Sequence, residues 1–150
     1  MSETLGGAML ALLEPRLDAI INTVREIPRE ALYRPAIRGG NSVGNLALHV
    51  AGNLQTLVGR IGGGVPYERD REFEFTARDV STEDVIRRVE DARAVCRQVL
   101  PRLEPAWFGE TADDPLFPGE SRGAHVLRSV EHAEYHGGQI VLIARLVKGS

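Results

Sequence analysis

Apolar residues recur every three or four positions along four stretches of the chain, which is the spacing of a helix with one buried face. These stretches are residues 2–26, 41–61, 81–103 and 120–147. Asn41 or Ser42 is a suitable N-cap for the second stretch, and Ser81 is one for the third. Pro15 interrupts the first stretch, so we expect that helix either to begin near Pro15 or to be kinked there.

These stretches predict an all-α fold. Alternation typical of a strand is limited to residues 72–76, and no second run of this kind could pair with it. Four helices of roughly 20 residues predict an antiparallel four-helix bundle that forms a single domain over residues 1–150. The connections 62–80 and 105–119 are longer than bundle loops usually are, and such loops often cover a site. Trp107 in the second connection is a candidate lid residue, with packing on the bundle end as the alternative.

Composition narrows the classes of function. A chain of 150 residues, 43% hydrophobic and 26% charged, can bury one sizeable core. Its net charge of −3 argues against a nucleic-acid binder, and the mixed charges of residues 68–74 are typical of a solvated surface. No apolar run approaches the length of about 20 residues that spans a membrane, and no basic leader is present, so we expect a cytoplasmic protein. Cys96 has no cysteine to pair with, and its helical stretch predicts a buried thiol.

The fourth stretch carries candidate chemistry. His132 and His136 are one helical turn apart, so both imidazoles project from the same face and can reach one metal ion. Gln139 continues this stripe, and Ile143 and Leu146 extend it into an apolar face that we expect to point towards the core. The pattern is not that of zincin proteases, which place a glutamate directly after the first histidine.

A second polar stripe lies on the second helix. Asn45, His49 and Asn53 recur every four residues within an apolar register, which indicates a buried polar network or a ligand set facing the fourth helix. If these helices face each other, His49 completes a three-histidine site with His132 and His136 that suits zinc, nickel or iron and keeps open coordination positions. The alternative is a group of core histidines that hydrogen-bond to Asn45, Asn53 or Gln139 without a metal.

Other residues near the histidine stripe have two interpretations each. Arg128, one turn before His132, is a candidate for holding a substrate carboxylate, and a salt bridge at the bundle rim is the alternative. Tyr135 is a candidate hydrogen-bond donor or a packing residue. His125 lies near the helix start, and we expect it at the rim. No Asp or Glu is predicted to face the histidines.

The residues above resemble those of a known family. The runs NSVGNLALHVAGN at residues 41–53, RDREF at residues 69–73 and EHAEYHGGQI at residues 131–140 resemble the DinB/YfiT-like superfamily, in particular a bacterial branch of small DinB-like proteins. The resemblance covers almost the whole chain. At Ser129 that branch often has histidine, so a contact to a metal ligand or to substrate differs here.

The resemblance implies a four-helix bundle, commonly a homodimer, whose divalent metal is held by His49, His132 and His136. It also implies a small-molecule substrate and thiol-dependent transfer with a low-molecular-weight thiol as cosubstrate, or alternatively metal-dependent hydrolysis. Asn45, Asn53, Arg128, Ser129 and Gln139 are then candidates to orient a ligand or to contact substrate.

A rival hypothesis is a non-catalytic, metal-binding or stress-responsive dimeric protein, because no acid–base partner is evident among the acidic residues. Leu127, Val130 and Val141 lie opposite the histidine face of the fourth helix and form a candidate dimer seam.

Overall fold

The computed structural model describes residues 3–115 and 117–149, and it is helical. The α-helices are α1 (Leu5–Glu26), α2 (Val43–Leu54), α3 (Arg71–Thr76), α4 (Thr82–Val99), α5 (Pro105–Gly109) and α6 (Arg122–Lys148). A π-helix, Gln55–Gly62, continues α2 without a break, and 3-10 turns occupy Arg29–Ala31 and Leu100–Arg102. The described residues contain no strand, only an isolated bridge between Thr111 and Ser121. The predicted all-α four-helix bundle, built from α1, α2, α4 and α6, is confirmed.

Hydroxyl side chains fix where the four long helices begin. In each case the N-cap side chain accepts a hydrogen bond from a backbone N–H of the first turn, which no helical carbonyl could satisfy. These N-caps are Thr4, Ser42, Ser81 and Ser121. Pro15 lies inside α1 on an exposed face, so the helix does not begin there. Because the carbonyl that Pro15 leaves unpaired, that of Ala11, is also on an exposed face, water can satisfy it.

Two neighbouring pairs of long helices run antiparallel. The contacts that show this are Gly6 with Leu100 and Asp18 with Arg93 between α1 and α4, and His49 with His132 and Asn53 with Ser129 between α2 and α6. Helices α2 and α6 therefore face each other, as the three-histidine hypothesis requires.

Helices α2 and α4 run parallel, so the expectation of an antiparallel bundle is wrong for this pair. Gly59 lies against Val95 and Gly63 against Val99, so residue numbers rise together along the pair. Parallel neighbours cannot be joined by a tight turn, because the chain must first travel back along the bundle. This return explains the long connection predicted at 62–80, and α3 lies within it, packed on α2.

The buried apolar residues form one contiguous cluster with contributions from all four long helices. Cys96 is fully buried, as predicted. Trp107 packs against this cluster from α5, which agrees with the packing alternative. No helix in the described ranges, 3–115 and 117–149, is long and apolar enough to cross a membrane.

Three expectations about α6 are wrong. His125 is fully buried rather than at the rim, because its Nδ1 pairs with the Ser121 carbonyl and its ring packs against Phe117. Leu146 is 53% exposed although it follows the histidine stripe, because it lies one helical turn from the exposed Leu142, at the edge of α6 rather than over the core. Val130 is buried and so cannot join Leu127, which is 54% exposed, in an outward-facing seam.

Candidate metal centre

Three of the four histidines converge between α2 and α6. His49, His132 and His136 each offer a ring nitrogen, and these atoms all lie within 4.8 Å of one another. The Nε2 atoms of His49 and His132 are 2.8 Å apart. The ring centroids of the three side chains are separated by 4.4–5.1 Å. Within the described ranges this is the one group of histidine, cysteine and acidic side chains with a spacing that fits a metal ion.

Glu74 on α3 sets the orientation of His49. Its Oε1 accepts a hydrogen bond of 2.8 Å from Nδ1 of His49, and both side chains are buried. Arg69 donates two further bonds of 2.8 Å, from Nε to Oε2 and from Nη2 to Oε1 of the same carboxylate. This carboxylate places the His49 proton on Nδ1 and leaves the Nε2 lone pair free to face the other histidines.

The position of Glu74 depends on the backbone beneath it. Gly52 on α2 leaves the space that the carboxylate occupies, since a Cβ there would lie 2.1 Å from Oε2 of Glu74. Asn45 holds α3 in place by donating from Nδ2 to the backbone carbonyls of Glu74 and Ala77, at 3.0 and 2.9 Å. Burial raises the pKa of Glu74, but the hydrogen bonds from Arg69 and His49 outweigh it, so its pKa is lowered and the carboxylate is ionised.

His136 and His132 differ in whether their Nδ1 atom has a hydrogen-bond partner. Nδ1 of His136 lies 2.7 Å from Oε1 of Gln139, which places the proton on Nδ1 and frees Nε2, as for His49. Nδ1 of His132 is buried and has no hydrogen-bond partner. Burial, followed by the charges of His49 and His136, lowers the pKa of His132 to about 3, and burial lowers the pKa of His136 as well. His132 and His136 are therefore neutral imidazoles at neutral pH, the form that binds metals.

This donor set fits a divalent metal ion. His49 and His136 each have an oxygen acceptor at Nδ1, which leaves Nε2 as the ligand atom and is the usual arrangement of metal-binding histidines. His132 adds a half-buried ring whose buried Nδ1 has no hydrogen-bond partner and whose Nε2 lies 2.8 Å from Nε2 of His49. Such a ring is costly in a purely structural network, because a buried polar atom without a partner loses its hydration.

The remaining predicted residues lie around this cluster with separate roles. Asn45 binds α3 rather than an imidazole. The Ser129 hydroxyl donates to Oδ1 of Asn53 at 2.7 Å, and both side chains are buried between α2 and α6. Arg128 pairs with Glu120 at 2.6 and 2.8 Å and stacks on a phenylalanine, as the salt-bridge alternative predicts.

Sequence reasoning missed the residues that α3 and the segment just before it contribute. Glu74, Arg69 and Phe75 surround His49, with the Phe75 ring centroid 4.6 Å from that of His49. The expectation of a merely solvated surface at residues 68–74 is therefore wrong for Arg69 and Glu74. The sequence did carry a signal for this element in the RDREF run. Asp70 in that run is a helix N-cap, and Glu74, the residue directly after the run, lies on the short helix that Asp70 begins.

Comparison with known proteins agrees with the fold. The family model described as the DinB superfamily matches residues 12–140. A conserved protein from Enterococcus faecalis has a similar crystal structure, with a TM-score of 0.78 at 15% identity, covering 99% of this chain and 100% of that one. A DinB-like protein from Bacillus cereus gives a TM-score of 0.73 at 14% identity, covering 97% of this chain and 93% of that one. No curated protein sequence matches this chain. At these identities the two structures show a shared fold.

Proposed function

The chain belongs to the DinB superfamily, and from this premise we propose that it is a divalent-metal enzyme that acts on a small molecule by thiol-dependent transfer. Proteins of this superfamily typically bind metal. The observation that carries the proposal is the convergence of His49, His132 and His136, two of them with an oxygen acceptor on Nδ1. These three side chains would hold the ion, with zinc, nickel or iron as candidates.

A divalent ion in this position supplies a Lewis acid that favours the thiolate form of a thiol or lowers the pKa of water. The residues around the cluster favour the first of these uses. Glu74 is the carboxylate that touches a cluster histidine in the described part of the chain, and Arg69 and His49 occupy its oxygens. It is therefore not available as a general base for hydrolysis. Thiol transfer needs no protein base, since the thiol is itself acidic enough to ionise at the centre. Metal-dependent hydrolysis is the alternative reaction.

Metal content tests the site. Purified wild type and His49→Ala are loaded with zinc, dialysed and analysed for bound metal. His125→Asn serves as the matched control, because His125 is the histidine outside the cluster. Circular dichroism checks that each variant is folded. We expect about one zinc per chain in wild type and in His125→Asn, and a large loss in His49→Ala. Equal zinc in wild type and His49→Ala would contradict the proposed site.

Activity tests the reaction. Metal-loaded protein is incubated with a low-molecular-weight thiol and monochlorobimane, and formation of the fluorescent thioether is compared with that of His132→Ala. We expect a rate above the uncatalysed one that is lost in the variant. A wild-type rate no higher than that of the variant, over several thiols, would contradict transfer and leave hydrolysis or a non-catalytic role.

We also propose a homodimer, with a seam that differs from the one expected on sequence grounds. The outward face of α6 carries large apolar side chains that are each more than half exposed: Leu127, Tyr135, Leu142 and Leu146. Val130 is buried and Val141 is half-buried, so neither contributes as expected. We call these four exposed side chains the α6 stripe. Burying them against a second copy would remove four large apolar side chains from water.

A further inference from the structure

The charge balance of the metal centre sets the kind of ligand it can hold. The three histidines of the cluster would bind a metal as neutral imidazoles, so the cluster does not compensate the two positive charges of a bound divalent ion. Glu74 does not compensate them either, because Arg69 neutralises it through two hydrogen bonds. A ligand at the open position is therefore favoured when it is an anion.

Arg71 carries a further positive charge near this centre, in addition to that of Arg69. Its guanidinium carbon lies 5.2 Å from the centroid of the Phe75 ring, and that ring lies 4.6 Å from the ring of His49. Two successive ring contacts thus connect Arg71 to the cluster. Arg71 is exposed and forms no ion pair within residues 3–115 and 117–149.

Arg71 is positioned to receive a carboxylate. A guanidinium that stacks on an aromatic ring keeps its N–H groups in its own plane, where they can donate to both oxygens of a carboxylate. The two other arginines near the histidines are already paired. Arg69 is bound to Glu74, and Arg128, which on sequence grounds is the candidate for this role, is bound to Glu120.

We infer that Arg71 binds a carboxylate of the ligand held at the histidine cluster, and that this ligand is a thiol carrying a carboxylate group. The inference rests on the proposed function, because the proposed reaction places the thiol at the cluster and so within reach of Arg71. The ligand makes two contacts, with its sulfur at the open position between His49, His132 and His136 and its carboxylate at the guanidinium over Phe75.

A pair of matched thiols tests this inference by binding rather than by turnover. The protein is loaded with Co²⁺, whose visible absorption reports thiolate binding, and is titrated with 3-mercaptopropionate and with 2-mercaptoethanol. The first thiol has a carboxylate and the second a hydroxyl. The ratio of the two dissociation constants measures the preference for the carboxylate and cancels changes that affect both thiols equally.

Arg71→Gln is the test variant and Arg88→Gln the matched control. Arg88 on α4 also lies over a phenylalanine of α3, Phe73, at 5.1 Å, but the Phe73 ring packs against the core and not against a histidine of the cluster. In wild type and Arg88→Gln we expect 3-mercaptopropionate to bind about tenfold more tightly than 2-mercaptoethanol, as for a hydrogen-bonded ion pair. In Arg71→Gln the two thiols are expected to bind equally.

The outcomes separate this inference from the proposed function. Wild type that binds Co²⁺ and both thiols with no carboxylate preference, or an equal preference in wild type and Arg71→Gln, overturns the role of Arg71 alone. Wild type that binds no Co²⁺, or binds it without any spectral response to either thiol, overturns the proposed function and this inference with it.

Discussion

At the scale of single residues, the state of the histidine cluster is decided by side chains that do not themselves offer a ligand atom to it. Glu74 and Gln139 each occupy the Nδ1 position of a histidine and so fix which nitrogen is free. Glu74 does more than Gln139, because it is ionised and strengthens the electron donation of His49. Arg69 in turn pairs with the buried Glu74 carboxylate, and without such a partner that carboxylate would not stay ionised.

Replacing Glu74 with glutamine is therefore expected to weaken metal binding although no ligand is lost. The amide keeps the size of the side chain but removes the charge that orients His49 and pairs with Arg69. We expect zinc affinity to fall about 10–100-fold. Competition with a chromophoric chelator measures this affinity. Glu72→Gln, on the same helix but exposed, is the control and should match wild type. Equal affinity in Glu74→Gln and Glu72→Gln would remove Glu74 from the site.

Cys96 is expected to be unreactive in the folded protein. Burial, with a smaller contribution from the charge of Glu14, raises the pKa of the Cys96 thiol to about 12, so almost no thiolate is present at pH 8. An aromatic disulfide reagent should label it only in denaturant. Since the unfolded thiol ionises near its ordinary pKa of 9.0 and the folded one only near 12, the free energy of unfolding should fall as pH rises from about 9 towards 12. This decrease should be smaller in Cys96→Ala. Rapid labelling without denaturant would contradict the burial.

The sequence predicts the candidate ligand residues better than their surroundings. His132 and His136 can be placed on one face from spacing alone, and the stripe of Asn45, His49 and Asn53 follows from the same helical period. Glu74 cannot be found in this way, because it reaches His49 across 25 positions of the chain through a contact between two elements. Spacing along one helix carries no information about a contact of that kind.

At the scale of elements, α3 is the part of the fold that completes the site. The alternation of Phe73 and Phe75 is not that of a strand, because the run is one short helix capped by Asp70, whose side chain accepts from the Phe73 N–H. Phe73 packs against the core and Phe75 against His49. Two aromatic residues two positions apart point to different neighbours on a helix, and alternation alone cannot distinguish this from a strand.

Gly52→Ala tests how closely α3 must approach α2. A Cβ at this position would meet both Oε2 and Cδ of Glu74, at 2.1 and 2.8 Å, so the buried carboxylate and its helix must move. We expect a loss of about 1–3 kcal/mol in the free energy of unfolding, as for overpacking, together with weaker zinc binding. Gly138→Ala on α6 is the matched control, because nothing lies within 4 Å of its added Cβ. Helix propensity should make that variant slightly more stable.

Denaturant unfolding measures the change in stability of each variant, and competition with a chelator measures its zinc affinity. A Gly52→Ala protein with unchanged zinc affinity would show that the site tolerates displacement of Glu74.

At the scale of the whole molecule, the order of the helices explains why the site has contributions from three elements. The long helices run up, down, down and up, so α2 and α4 are parallel and the chain between them must return along the bundle. That return brings α3 back beside α2 and places Glu74 against His49. The sequence predicts the number and limits of the long helices, because caps and apolar spacing are local. The predicted antiparallel order is wrong for α2 and α4, because relative directions depend on which faces pack. The long connection 62–80 is the one local sign of a parallel pair.

The oligomeric state is the last expected consequence of this arrangement. Helix α6 contributes one face to the histidine cluster and leaves the α6 stripe exposed on another. If a second copy covers the stripe, wild type sediments as a dimer at micromolar concentration, and Leu142→Glu shifts it towards monomer, because a buried unpaired charge at the centre of the seam is costly. Gln98→Glu is the control, since it adds the same charge on exposed α4, diagonally across the bundle from α6. Zinc affinity should stay unchanged in both variants. A wild-type monomer at these concentrations would reject the seam while leaving the metal centre as proposed, because all three histidines belong to one chain.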